Sequence, residues 1–430
     1  MVKTPLPEIN IEYIIKNENI TTCFQPVVSI KKKTIVGFEA LSRGVTQGSK
    51  NIIPPEYLFS LANKKNLCLE LDRLCRKSAL RNFKRGVCDE DLMLFLNFDT
   101  SILDRGVTGS GHLQNLVDNF GINPGNVVLE IVESNVRDIH ALKKFIKIHR
   151  NKGFLIALDD VGNGHSNLNR IPMVKPDILK IDRYLVRSID KDYHKQAVCK
   201  SLIDLARSIG TLVIAEGVES EEEAITVLEL GVDMIQGYYF CQPGEIPKYM
   251  KWGLGDVISK LGYLFQDHLY KKFYLNKREQ EVNSRIISDI ISKLSILSLY
   301  EFDNTLFQFV KKYPALECIY VLNEKGIQLS ITACNGDTLQ RSHMPIFRPA
   351  LKGEDHSLKD YYYSLMNSNS KEHTTEPYIS LSSGNLCITV SKVFTGSGNK
   401  TYILCADFTQ KGEAYEENRG HYSPRKTGRG

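Results

Sequence analysis

Successive short apolar segments in the first part of the chain each end on a side chain able to do chemistry. In chain order these are Glu39, Asn97, Glu130, Asp159 with Asp160, Lys180 with Asp182, Glu216, and Gln236. The potential ligands are all oxygen donors, with no His or Cys among them. Converging carboxylates repel one another unless a cation or a proton holds them together. Oxygen-rich sets suit hard cations such as Mg²⁺ or Mn²⁺ and disfavour zinc. Six acids exceed what one ion needs. Two ions roughly 3.5–4 Å apart can activate a water and stabilise the leaving oxygen of a phosphodiester. Lys180 would add a fixed positive charge beside the attacking water or the phosphate. Glu216, where it is not a ligand, suits the role of accepting the proton of the nucleophilic water. His112, His140 and His149 show no ligand spacing and read as surface or core groups.

These ends need a scaffold that gathers them at one mouth. Apolar runs recur at Cys23–Ile30, Thr34–Leu41, Met93–Phe98, Val127–Ile131, Phe154–Asp159, Ile178–Ile181, Leu212–Ala215 and Met234–Tyr238. They are short and mostly rich in β-branched or aromatic residues, and amphipathic stretches long enough for helices separate most of them. Only Lys31-Lys32-Lys33 joins the first two runs, which suits a tight antiparallel connection. Eight strands with helical crossovers fit a closed β/α barrel better than an open sheet, and such barrels carry their chemistry at the carboxyl ends of the strands. No Gly-rich phosphate loop follows any strand, which weighs against a dinucleotide-binding or P-loop fold. Ser220 followed by Glu221, Glu222 and Glu223 predicts a capped helix start after the Leu212–Ala215 strand.

The chain has 430 residues, which fits one barrel plus something smaller. From about Trp252 the alternation stops. Val257, Leu261, Leu264 and Leu269, then Val282, Ile286, Ile290, Leu294 and Leu297, predict one or two long helices that link domains or pair protomers. Beyond Tyr300, the runs Cys318–Leu322, Gly326–Thr332, Tyr378–Leu381, Asn385–Val393 and Thr401–Phe408 read as strands of an antiparallel α+β domain. The polar segment Tyr415–Gly430 reads as a disordered tail. The expected organisation is thus 1–252 barrel, 253–300 helical linker, 301–414 α+β domain and 415–430 tail.

A net charge of +5 is too balanced for a nucleic-acid binder. No apolar run approaches the roughly 20 residues that span a bilayer. The N-terminus lacks the apolar core and cleavage site of a secretory signal, so a cytoplasmic protein is expected. Ten scattered cysteines without a CxxC pair are expected as reduced, mostly buried thiols.

The motifs resemble those of the EAL family of cyclic di-GMP phosphodiesterases. Phe38-Glu39-Ala40-Leu41 with Ser42-Arg43 resembles the family signature. Phe24-Gln25-Pro26-Val27-Val28, Asn97-Phe98-Asp99, Leu129-Glu130-Ile131-Val132-Glu133-Ser134 and Leu158-Asp159-Asp160 follow the family order. So do Pro176-Asp177-Ile178-Leu179-Lys180-Ile181-Asp182, Ala215-Glu216-Gly217-Val218-Glu219 and Gln236-Gly237-Tyr238-Tyr239-Phe240. The resemblance covers roughly residues 5–250. It implies a modified (β/α)₈ TIM-like barrel with an antiparallel first strand, and hydrolysis of cyclic di-GMP to linear pGpG with two Mg²⁺ or Mn²⁺ ions. It further implies that Glu39, Asn97, Glu130 and Asp159 hold one ion, that Asp160 serves the second, that Glu216 is the general base and that Lys180 orients the water. Gln25, Arg43, Asp182, Glu219 and Gln236 match substrate-binding positions, Glu133 matches a loop-anchoring glutamate, and a homodimer is expected.

One loop departs from the pattern. Active members usually read Asp-Asp-Phe-Gly-x-Gly-Tyr-Ser-Ser, where this chain has Val161 for the Phe, His165 for the Tyr and Asn167 for the second Ser. A catalytically impaired cyclic di-GMP receptor is therefore the alternative reading. Asp355-His356-Ser357-Leu358-Lys359-Asp360-Tyr361-Tyr362 resembles a motif of PAS-like/Cache-like sensory domains, with Lys359 where Arg is usual. It implies an unidentified small-molecule ligand for the C-terminal domain, with a packing module as the alternative. There is no synthase-like GGDEF motif.

Overall fold

A computed structural model describes residues 9–46, 51–87, 91–105, 111–132, 138–163, 168–246, 253–336 and 346–409. Glu133, His165, Asn167 and the 415–430 tail lie outside the described residues. The chain divides into two compact units, Met1–Tyr270 and Lys271–Gly430.

In the first unit, β1 (Ile20–Ser29), β2 (Thr34–Val45), β4 (Met93–Phe98), β5 (Val127–Val132), β6 (Leu155–Val161), β7 (Ile178–Ile181), β8 (Leu212–Ala215) and β9 (Met234–Ile235) close into an eight-stranded barrel. The short β3 (Ile52–Ile53) pairs with the outer end of β2. β1 runs antiparallel to both its neighbours, β2 and β9, while the other barrel pairings are parallel. The lysine turn sets this up: with Lys33 at φ 55°, β1 and β2 pair directly from Ser29–Thr34 back to Ile20–Gly44.

The barrel interior is a layer of Val27, Phe95, Val128, Ala157, Ile178, Ile214 and Met234. Helices cover the outside and form the larger apolar core. Gly37 belongs to this inner wall because β4 comes too close for a side chain. A Cβ there would meet the Met93 carbonyl oxygen at 2.5 Å. Gly37→Ala is therefore expected to destabilise the barrel by about 1–3 kcal/mol, the usual cost of overpacking. A lowered urea midpoint checks this, and an unchanged midpoint would contradict so close an approach.

Ser220 caps the helix Glu221–Leu230 with a reciprocal capping box, and Gly231 ends it at φ 111°. The Glu223 carboxylate also accepts from the backbone N–H of Ser188 at 2.7 Å and of Glu219 at 2.8 Å, so the cap fastens the loop after β8. The two expected apolar stripes after Trp252, apart from Leu297, lie on a single 41-residue helix, Leu254–Leu294. Leu254, Ile258 and Leu261 join the core of the first unit, and Ile286, Ile287, Ile290 and Leu294 join that of the second. Among the described residues no helix is long and apolar enough to cross a membrane.

The second unit is α+β. Its antiparallel sheet comprises β10 (Leu316–Leu322), β11 (Ala333–Cys334), β12 (Glu372–Thr374), β13 (Tyr378–Ile379), β14 (Leu386–Thr395) and β15 (Thr401–Thr409). The order is β11-β10-β15-β14-β12, with β13 also on β14. One face packs against the Leu299–Lys312 helix and the end of the long helix.

Two expectations are corrected here. Gly326–Thr332 is not a regular strand: the Asn323 side chain accepts from the Lys325 and Ile327 N–H groups to form a turn, after which the chain makes only single bridges, Gln328 with Leu322 and Ile327 with Asp355. The cysteines are not all free thiols: Cys318 and Cys334 form a disulfide. They stand directly opposite one another in the β10–β11 pairing, a juxtaposition that a separation of 16 residues hides in the sequence.

Candidate active site

Side chains two residues apart on a strand share a face. Each apolar residue of the inner layer is therefore followed, one step toward the mouth, by a functional group. Phe95 is followed by Asn97, Val128 by Glu130, Ala157 by Asp159, Ile178 by Lys180, Ile214 by Glu216 and Met234 by Gln236. On β1, which runs the other way, Val27 is preceded by Gln25. On β2, Gly37 is followed by Glu39.

Asp159 and Asp160 are adjacent, so a regular strand would turn them to opposite faces. Here the β6–β7 register shifts between Leu158 and Val161, and Asp160 takes a left-handed φ of 56°. Such a bulge re-aims a side chain at cost to the backbone. Both carboxylates consequently line the same cavity, and the Asp160 N–H donates to Asp159 Oδ1 at 2.9 Å. Val161 is fully buried in the core as the last residue of β6.

Lys180 is the hub. It is 1% exposed, and its Nζ lies 2.5 Å from Glu130 Oε1, 2.5 Å from Glu216 Oε1, 3.4 Å from Asp159 Oδ1 and 3.6 Å from Glu39 Oε2. Glu39 is fixed from both sides, accepting from Asn97 Nδ2 at 2.9 Å and from Gln236 Nε2 at 2.6 Å. Gln236 Nε2 also donates to Gln25 Oε1 at 3.0 Å.

The electrostatics follow from burial and crowding. Burial, then the charge of Glu39, pushes the Glu130 carboxyl well above the usual range. Burial, then Asp159, does the same to Glu216. Asp159 is also raised, mainly by burial, and Asp160 rises to about 6 through burial and the charges of Asp159 and Asp182. Burial would raise Glu39 too, but Lys180, Gln236 and Asn97 hold it below the usual range. Lys180 resists the lowering effect of burial because its acidic neighbours keep it well above the ordinary lysine value.

One lysine thus faces an excess of acids, an arrangement that calls for further positive charge. The donor set fits hard divalent cations. Glu130 is completely buried, and its Oε2 has no hydrogen-bond partner among the described residues. Ligand oxygens of Asp159, Asp160 and Glu216 lie within 4.8 Å of one another.

The acids open on a cavity of about 430 Å³ that Gln25, Asp182 and Glu219 also line. Asp182 caps a helical turn by accepting from the Tyr184 N–H at 2.7 Å. Arg43 lies elsewhere. With Asn97 it lines a second cavity of about 460 Å³, and Glu39, Leu41 and Glu56 border both. The site is therefore two-lobed about Glu39.

Sequence reasoning missed Glu56 and a buried ion pair, Asp72 with Arg76, in the second lobe. Arg76 also stacks over Phe98, 4.9 Å from the ring centre. Burial raises Asp72 to about 6 in spite of Arg76. An Asp–Arg pair one helical turn apart reads as a solvated surface pair. The available signal was its setting among Leu71, Leu74, Cys75 and Ala79, all buried on the Cys68–Gly86 helix.

A family model described as the EAL domain matches residues 10–243. YkuI of Bacillus subtilis, described as an uncharacterized EAL-domain containing protein, is 26% identical over 386 residues, 87% of this chain and 91% of that protein. PdeG of Escherichia coli, described as a probable cyclic di-GMP phosphodiesterase, is 30% identical over 244 residues, 56% of this chain and 48% of its own length. The chain thus spans about half of that phosphodiesterase. The crystal structure of YkuI with cyclic di-GMP and calcium superposes with a TM-score of 0.77 over 94% of this chain and 100% of that one, at 24% identity, and shares the fold. The EAL enzyme Bd1971, in its cAMP- and cyclic di-GMP-bound form, has a TM-score of 0.51 at 28% identity over 56% of this chain and 66% of its own.

Proposed function

The chain belongs to the EAL domain family, and on that premise we propose that it is a cyclic di-GMP phosphodiesterase that yields linear pGpG. The observation that carries this reading is the set of acids gathered about Lys180 at the barrel mouth, with a wholly buried Glu130 oxygen lacking any partner among the described residues. Glu39, Asn97, Glu130 and Asp159 would hold one divalent ion, Mg²⁺ or Mn²⁺, and Asp160 would serve a second. When bound, the pair supplies an acidified water and positive charge at the leaving oxygen.

The chain's own groups do the rest. The water oxygen forms a bond to phosphorus, the bond from phosphorus to the 3′ oxygen breaks, Glu216 takes the water's proton, and the leaving 3′ oxygen takes a proton from solvent to become the 3′ hydroxyl. Lys180, 2.5 Å from Glu216, keeps that carboxylate oriented and supplies fixed charge beside the water. Gln25, Asp182, Glu219 and Gln236 in one lobe, and Arg43 in the other, bind the dinucleotide. Glu133 is proposed to anchor the loop after the Asp159–Asp160 pair. We place the reaction in the cytoplasm, where a dissolved dinucleotide is accessible. The working unit is proposed as a homodimer, a reading supported by the exposed Tyr270, Phe273 and Tyr274 on the long helix.

The test is incubation of the purified chain with cyclic di-GMP and Mg²⁺ or Mn²⁺. Chromatography should show pGpG, EDTA should reduce its formation to background, and Mn²⁺ added in excess should restore it. Tight binding of cyclic di-GMP without product would favour the receptor reading. Absence of both would overturn the assignment.

A further inference from the structure

The sheet of the second unit has two unlike faces. Along β15, Leu404, Ala406 and Phe408 point into the apolar core shared with the helices. The alternate residues Cys405 and Asp407 belong to the opposite face. A cavity of about 190 Å³ adjoins that face, and Tyr320, His356, Tyr361, Tyr378 and Asp407 line it, with the exposed Arg348 and Lys359 also at its edge.

Two of these groups are buried polar side chains with unmet needs. Asp407 is 2% exposed, and its carboxylate accepts from Thr389 Oγ1 at 2.7 Å. No described Lys, Arg or His forms an ion pair with it. His356 is 5% exposed. Its Nδ1 shares a hydrogen bond of 2.6 Å with the Tyr361 hydroxyl, and its Nε2 has no partner among the described residues. Buried polar groups are nearly always paired in folded proteins, so such a set in one cavity marks a place for a ligand's polar groups.

The sign of the ligand follows from the neighbours. Glu317 is completely buried on the same sheet, held by hydroxyls of Ser383 and Thr409 and by no described cation. Its charge and burial push Asp407 up to about 7, with burial the larger cause. Arg348 and Lys359 stand only at the exposed edge, so an anion entering deeper would face the buried Asp407 carboxylate, whereas an ammonium group would supply its missing counter-charge and hydrogen-bond donors. The volume lies below the roughly 300–1,000 Å³ of pockets for drug-sized molecules, which limits the ligand to a compact metabolite.

We propose that this cavity is a binding site for a small aliphatic amine, whose ammonium group pairs with Asp407 and whose second polar group meets His356 Nε2. Proton transfer is not required, and the site stands independently of the chemistry at the barrel mouth.

The experiment uses the full chain at pH 8, titrated in a calorimeter with 1,4-diaminobutane and ethanolamine, and with 1,4-butanediol and ethylene glycol as uncharged matches. Saturable binding of at least one amine is expected, with no binding of either diol. Asp407→Asn should weaken amine affinity at least tenfold while leaving cyclic di-GMP binding unchanged. In the unsubstituted protein the amine should also shift the His356 ring resonances, identified by their loss in His356→Gln, so the proposal remains testable if Asp407→Asn fails to fold. Absence of saturable binding by either amine, equal binding of the diols, full affinity in Asp407→Asn, or unmoved His356 resonances would each overturn it.

Discussion

Glu216→Gln is expected to slow cyclic di-GMP hydrolysis by about 10²–10⁴-fold while leaving affinity for the dinucleotide within a few-fold, the range associated with loss of a general base. The amide has the same shape, so the Glu216 position should remain filled and Lys180 should keep its contact with Glu130. What is lost is the ability to accept the water's proton. Glu39→Ala should go further and remove detectable hydrolysis. Glu39 is proposed as a metal ligand, it borders both lobes of the site, and Asn97 and Gln236 are both oriented by hydrogen bonds to it. The measurements are single-turnover formation of pGpG at saturating Mn²⁺ and, separately, calorimetric binding of cyclic di-GMP. Turnover within tenfold of the unsubstituted enzyme in either variant would refute the assigned roles.

The second large effect concerns stability. Lys180→Met removes the only described cation within ion-pair distance of Glu130, Glu216, Asp159 and Glu39. Breaking a buried pair by deleting one partner typically costs about 3–5 kcal/mol, because the other charge is left uncompensated. The expected result is a fall of that order in unfolding free energy, measured in urea with EDTA present. Part of the loss should return with millimolar Mn²⁺, since anything that binds the folded state alone stabilises it. Equal stability of variant and unsubstituted protein in EDTA would show that the acids do not depend on Lys180. Activity should be lost in this variant as well, so the stability measurement is what distinguishes this role.

Much of the site was legible because a strand encodes its faces locally. The period of two that makes Ala157 and Ile178 part of the barrel interior also places Asp159 and Lys180 one layer nearer the mouth. The capping box at Ser220 and the lysine turn between β1 and β2 are likewise local patterns, read from a few adjacent residues. The strand ends, their order, and the class of ion that suits their oxygen donors therefore required no tertiary information.

Other features depend on what a residue meets far along the chain. The β6 bulge that turns Asp159 and Asp160 to one cavity is a relation between two strands, so strict alternation predicts the wrong face for one of them. Asp72 and Arg76 have the spacing of a surface pair and are buried only because their helix packs against the barrel. Gly326–Thr332 has the composition of a strand but divides its pairing between Leu322 and Asp355, so no continuous ladder forms. Cys318 and Cys334 meet through strand register alone. Gln25 and Gln236, separated by 211 positions, become hydrogen-bonded neighbours only when the last barrel strand closes onto the first.

The sequence by itself determined which polar residues stand at the barrel mouth and which strand presents each of them, because side-chain type and period are properties of short segments. The tertiary structure decided how many acids share one lysine, which buried carboxylate oxygen lacks a partner among the described residues, and that Asp407 and His356 share a cavity in which no described cation forms an ion pair with Asp407. Burial and charge proximity are properties of the closed fold, set by chain segments that no local pattern connects.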